Sequence, residues 1–224
     1  FMFAAMGIFV KSAGKHVPFV EIVMFRCLAS AAAVWLLAKR EKISVRGTRR
    51  DLLFLRALFG TIGLFMYFYA MTKIPIGDTI LLNQTAPVFI LPLAVLFLKE
   101  KVTKVHVFLV AVVLLGVVLV IKPTGNVVNA PALIALGSAV FTAFAYILIR
   151  RLTSIEHPLT IVFWFNAIGF LVSLPITIPV FILPGLGDAL DLAVMALLAT
   201  FGQILMTFAY RYSEAGRLSA LGSF

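Results

Sequence analysis

Charge is scarce in this sequence: Asp, Glu, Lys and Arg make up 12% of the 224 residues, while 62% are hydrophobic. A soluble domain carries about 25% charged residues, so a water-exposed globule cannot be built from this composition. Cysteine is nearly absent. Cys27 alone, inside an apolar run, provides no disulfide framework and indicates no redox compartment. The histidines His16, His106 and His157 are scattered, and no two stand at metal-ligand spacing. Asp78, Asp188 and Asp191 have no motif partner, so clustered acid–base or metal chemistry finds no purchase. A P-loop is missing and no connection could house an ATPase domain, which disfavours an energy-driven pump.

What is abundant is the long apolar run. A bilayer's hydrocarbon is ~30 Å thick and a helix rises ~1.5 Å per residue, so about 20 apolar residues cross it. Such runs predict helices over 1–12, 18–38, 52–72, 76–98, 105–121, 131–150, 158–181 and 191–211, with a ninth starting near Leu218. Pro18, Pro131 and Pro158 stand where a first helical turn tolerates proline, and Gly14, Gly125 and Gly185 with Gly187 mark turns. Phe1–Val10 lacks the basic leader and cleavage site of a signal peptide and is expected to belong to the first span. The fold class expected is all-α, a polytopic transmembrane helical bundle.

The net charge of +10 suggests nucleic acid until its distribution is followed. Alternate connections divide the basic residues thirteen to four, the larger set running from Lys39 and Arg40 through Lys99, Arg150 and Arg151 to Arg211 and Arg217. Cytoplasmic loops carry such an excess, so the first helix is expected to start inside the cell, with a bacterial inner membrane as the expected setting. Only Arg26 and Arg56 fall within spans, and Arg56 is near enough to the inner end of its helix to snorkel.

Sliding the chain against itself brings Phe1–Arg26 onto Phe141–Asn166 without a gap, with Pro18 on Pro158 and Phe25 on Phe165. At nearly the same offset Thr61, Gly63, Ala70 and Gly77 meet Thr200, Gly202, Ala209 and Gly216. Units of five helices would enter the membrane from opposite sides, an arrangement common among secondary transporters. The expected division is 1–122 for the first unit and 131–224 for a second, truncated one. By the same offset a ten-helix protein is expected to extend beyond both ends of this chain.

Arg56-Ala-Leu-Phe-Gly60, Tyr69-Ala70, Ile76-Gly77-Asp78, Asn83-Gln84-Thr85-Ala86-Pro87 and Leu98-Lys99-Glu100 together resemble the EamA-type transporters of the drug/metabolite transporter superfamily. Gly202, Tyr210, Ala215-Gly216 and Leu221 resemble a partial second copy. The resemblance implies ten helices with both termini cytoplasmic and a central cavity through which small metabolites, amino acids, nucleotide sugars or drugs pass. The chain departs from it in lacking the end of helix nine and all of helix ten.

Arg26 lies about 12 Å into helix two, where a charge costs about 2.5–3.5 kcal/mol unless it faces protein or water. It serves either a substrate anion or coupling chemistry, or else a structural pair with a carboxylate or with carbonyls, and Asn166 is its repeat partner. Glu21 is the one carboxylate inside a span; buried, it could carry a proton, but an interfacial, solvated position is the simpler expectation. Asn83 and Gln84, with Thr85, form the densest polar cluster in any span, either lining a cavity or bonding a neighbouring helix. Tyr67, Tyr146 and Gln203 are pore candidates, whereas Tyr69 reads as an interfacial anchor. The expected activity is secondary transport of a small organic metabolite by alternating access, against a membrane-embedded enzyme or a non-transporting receptor or structural bundle. The expected partners are a small-molecule substrate and membrane lipid, with homodimerisation open; no nucleic acid, bound cofactor or covalent chemistry is expected.

Overall fold

The computed structural model describes residues 2–90, single positions 93, 108, 111, 112, 115 and 116, and residues 130–221. Among these the chain is helical: α1 (Met2–Ala13), α2 (Phe19–Arg40), α3 (Arg50–Lys73), α4 (Ile76–Asn83), α5 (Ala130–Leu152), α6 (Pro158–Thr177) and α7 (Leu186–Leu221). Five spans, Phe19–Arg40, Arg50–Lys73, Ala130–Leu152, Pro158–Val180 and Leu186–Tyr212, are long and apolar enough to cross a membrane. Their outward faces carry bare apolar side chains such as Leu36, Phe54, Leu171, Leu197 and Leu205. Such a surface suits lipid and not water. The protein is an integral, multi-pass helical bundle.

Helix ends follow local chemistry. Pro18 and Pro75 precede α2 and α4, and Pro158 opens α6. At the far end of α2, Lys42 takes φ 56 and its N–H donates to the Lys39 carbonyl, while Ile43 N–H donates to Ala38. That pair of bonds is the Schellman closure, which satisfies carbonyls the helix would otherwise leave open.

The neighbours run antiparallel. Leu52 and Leu53 near the start of α3 pack with Ile149 and Leu152 at the end of α5, and Ala70 near the end of α3 packs with Ala132 and Ala135. Val34 and Ala38 of α2 meet Leu159 and Val162 at the start of α6, while Glu21 at the other end of α2 accepts from Ile182 N–H beyond α6. His16, just past α1, sits 3.2 Å from Asp188 at the start of α7. The pairings α3 on α5, α2 on α6 and α1 on α7 exchange into one another when α1, α2 and α3 are replaced by α5, α6 and α7. Lys39, Arg40, Arg50, Arg150 and Arg151 lie at helix ends on one side of the bundle, here called the basic end, and Arg211 lies ten residues before the end of α7.

Four expectations change. The helix expected over 76–98 breaks at Gln84–Thr85, and residues 86–90 then resume as helix. Pro87 explains the break, since it has no N–H to offer and its ring crowds the Asn83 carbonyl four residues back. The helix expected over 158–181 finishes at Thr177 and tightens into a 3-10 turn, Ile178–Val180, around Pro179. The helix expected over 191–211 begins earlier, at Leu186. It also runs unbroken to Leu221, where a loop before a ninth helix was expected; the stretch from Ser213 to Arg217 has no proline to stop it. The span expected over 105–121 lies outside the described residues except at the five helical positions given above, as does most of the second half of 76–98.

Candidate functional site

Within the bundle lies a cavity of about 200 Å³. Arg26 enters it from α2; Arg56, Gly60, Tyr67 and Phe68 from α3; Asn83 and Gln84 from the break after α4. Thr142 and Tyr146 of α5, Phe165 of α6 and Gln203 of α7 close the other side. The break in α4 is what makes its contribution polar, because a Pro-interrupted helix turns side chains and freed backbone toward a cavity. Asn83 Nδ2 donates to Ser138 Oγ at 2.9 Å, and Ser138 Oγ in turn donates to the Ala135 carbonyl at 2.6 Å. Asn83 therefore both borders the cavity and ties α4 to α5.

Two arginines dominate the electrostatics. Arg26 and Arg56 are each 2% exposed, and on both the Nε and Nη1 donors have no hydrogen-bond partner. What holds them is aromatic: the guanidinium carbon of Arg56 lies 4.4 Å from the Phe165 ring centroid, and that of Arg26 lies 5.6 Å from the same ring and 6.0 Å from Phe68. A cation over a ring face gains about 0.5–2 kcal/mol. Gly60, one turn beyond Arg56, leaves the space its guanidinium occupies, since a Cβ there would collide with Nη1. No Asp or Glu is among the described residues lining the cavity.

Six of the eight side chains singled out in the sequence (Arg26, Tyr67, Asn83, Gln84, Tyr146 and Gln203) border this one cavity. Two stand elsewhere. Asn166 is fully buried on α6, where Nδ2 donates to the Val162 carbonyl at 2.9 Å and Oδ1 has no partner. Glu21 is also fully buried rather than solvated: the chain after α6 folds over it, and Oε2 accepts from Ile182 N–H at 3.0 Å. Arg56 is the residue whose sequence reading changes most. It does not snorkel to the basic end but turns inward, and the signal was the glycine four residues on. Tyr69 lies outside the cavity, edge-on to Phe19 with centroids 5.5 Å apart. Among the described residues no group of three His, Cys, Asp or Glu side chains gathers to hold a metal ion.

A multi-pass helical bundle around a polar, positively charged cavity has the form of a membrane carrier of small solutes. The EamA-like transporter family model matches residues 1–122 and 129–224. The chain belongs to the EamA-like transporter family. It is similar to a pseudopaline exporter of Pseudomonas aeruginosa, at 32% identity over 220 residues covering 96% of this chain and 76% of that protein. A riboflavin transporter of Brucella anthropi is 25% identical over 95% of this chain and 78% of its own. A solved crystal structure aligns with TM-score 0.63 and 19% identity over 92% of this chain and 77% of that one, which concerns the fold alone.

Proposed function

We propose that the protein is a secondary transporter that carries a small organic metabolite across a membrane by alternating access, with no covalent step. The observation that carries this reading is the composition of the cavity wall. Arg26, Arg56, Asn83 and Gln84 come from residues 1–122, and Tyr146, Phe165 and Gln203 come from residues 131–224. We read these ranges as two units of opposite orientation, a division supported by the sequence offset and by the exchangeable helix pairings. A site shared by two such units opens to one face or the other when one unit rocks against its partner. The basic excess at one end supports a cytoplasmic N-terminus, and the short connections suit a bacterial inner membrane.

Relatives named as an exporter of pseudopaline, a riboflavin transporter and an S-adenosylmethionine uptake transporter support a small organic solute as the cargo and leave direction open. Reconstitution into vesicles tests the proposal. Saturable movement of a labelled metabolite that follows an imposed gradient is the expected result. Turnover of a lipid or solute into a new chemical species, with no net movement, would instead support a membrane enzyme.

A further inference from the structure

Arg26 and Arg56 present a chemical demand that no carboxylate or carbonyl among the described residues meets. Each is 2% exposed and each keeps Nε and Nη1 without an acceptor. A structural arginine inside a membrane protein is held by a carboxylate or by backbone carbonyls, because an open charge there is costly. Among the described residues neither kind of acceptor reaches these donors, and the Cys27 thiol beside Arg26 is only a weak partner. Glu21, the carboxylate on the same helix as Arg26, accepts from Ile182 N–H through Oε2 and keeps Oε1 without a partner, so it does not reach the guanidinium. The aromatic faces of Phe165 and Phe68 hold the two guanidinium planes but accept nothing from their N–H edges. Gln203 is a third residue with an open donor in the same cavity, its buried Nε2.

We propose that the cargo is a small organic anion whose oxyanion, carboxylate or phosphate, is gripped by Arg26 and Arg56, with Gln203 donating alongside. The guanidinium fork matches both oxyanions in two parallel hydrogen bonds, which an ammonium cannot do. Holding the planes against aromatic rings fixes them before cargo arrives, so less ordering is needed on binding. A cationic solute meets two like charges and is rejected, while a neutral one leaves both charges open. The inference rests on the cavity being the transport site.

Matched probes test it on the purified protein, with binding read from thermal shifts at increasing concentration. Benzoate, phenyl phosphate, benzamide and benzylamine share a ring and differ in charge. At least one anionic probe is expected to bind ten times more tightly than benzamide or benzylamine. Arg26→Gln and Arg56→Gln are each expected to weaken that probe at least tenfold, with an unliganded melting temperature equal to or above the starting protein's, because an open buried charge has been removed. Equal response to benzoate, phenyl phosphate and benzamide overturns the proposal even if neither variant folds, as does unchanged anion binding in both variants. No gradient is present in this assay, so the two readings fail separately. Anion binding without vesicle transport sinks the transport reading alone, and gradient-driven movement of neutral solutes only sinks the anion reading alone.

Discussion

At the scale of single residues, two glycines beside reactive or charged side chains leave no room for a Cβ. A Cβ at Gly60 would stand 2.9 Å from Cε2 of Phe165 and collide with the Arg56 guanidinium, so Gly60→Ala must push Arg56 off the ring. Overpacking of this kind costs about 1–3 kcal/mol. We expect Gly60→Ala to lower the melting temperature and reduce vesicle uptake about tenfold. At Gly169 a Cβ would come within 2.7 Å of Cys27 Sγ. Gly169→Ala is therefore expected to destabilise by a similar amount, and Cys27→Ala in the same molecule to recover most of the loss; a double-mutant cycle on thermal stability measures the coupling. Polar residues inside spans were readable from the sequence because each is an exception in an apolar run. Their directions were not, since a residue's position along a helix says little about which neighbour it faces. Arg56 shows the difference: its depth suggested snorkelling, and Phe165, the ring it meets, lies more than a hundred residues away.

Single helices carry two further predictions. The kink that turns Asn83 and Gln84 toward the cavity depends on Pro87, whose interior position disfavours a continuous helix by about 3 kcal/mol. Pro87→Ala should let α4 run through Gln84–Thr85, raising helix content by circular dichroism while uptake falls. His157 caps α6, its Nδ1 accepting from Leu159 N–H at 3.2 Å, which requires the unprotonated ring nitrogen. Burial lowers its pKa below the ordinary value near 6.5, and Arg211 lowers it further. A group that binds its proton less readily when folded favours the native state above about pH 6.5, and this contribution is lost as pH falls through the lowered value. Melting temperature should therefore drop between about pH 7 and 5, and His157→Asn, a cap that does not titrate, should flatten that drop. Most helices were legible because apolar length and prolines mark them. The break in α4 was not taken from Pro87, although proline is its cause, because membrane helices often tolerate proline when neighbours satisfy the freed groups.

Across the whole molecule the helices pair α1 with α7, α2 with α6 and α3 with α5. α2 and α6, which the sequence offset aligns through Pro18 and Pro158, lie against each other head to tail. Lys39, Arg40, Arg50, Arg150 and Arg151 collect at one end, while Lys11 and Lys73 stand at the other. The offset of residues suggested the pairing of α2 with α6; the shared cavity needed coordinates, because its wall joins residues as distant as Arg26 and Gln203. At the basic end the connection between α2 and α3 is fastened to the connection between α5 and α6 and to the start of α6. Glu156 accepts from the N–H groups of Thr48 and Arg49, and Trp164 Nε1 donates to the Val45 carbonyl at 2.9 Å. Glu156→Gln weakens this clasp by about 1.5–3 kcal/mol, the range for hydrogen bonds to a charged group. Hydrogen exchange across residues 44–49 should rise, and the cavity should spend more time open at that end.

Alternating exposure of one cavity to two faces is the claim that most needs a direct measurement. With Cys27 as the one natural thiol, Cys27→Ser gives a background in which Gln84→Cys places a single thiol at the cavity wall. In vesicles of known orientation, a membrane-impermeant maleimide should modify that thiol from either face, with the faster side reversing when the gradient is reversed. Modification from one face only, at a rate indifferent to the gradient, would contradict a carrier.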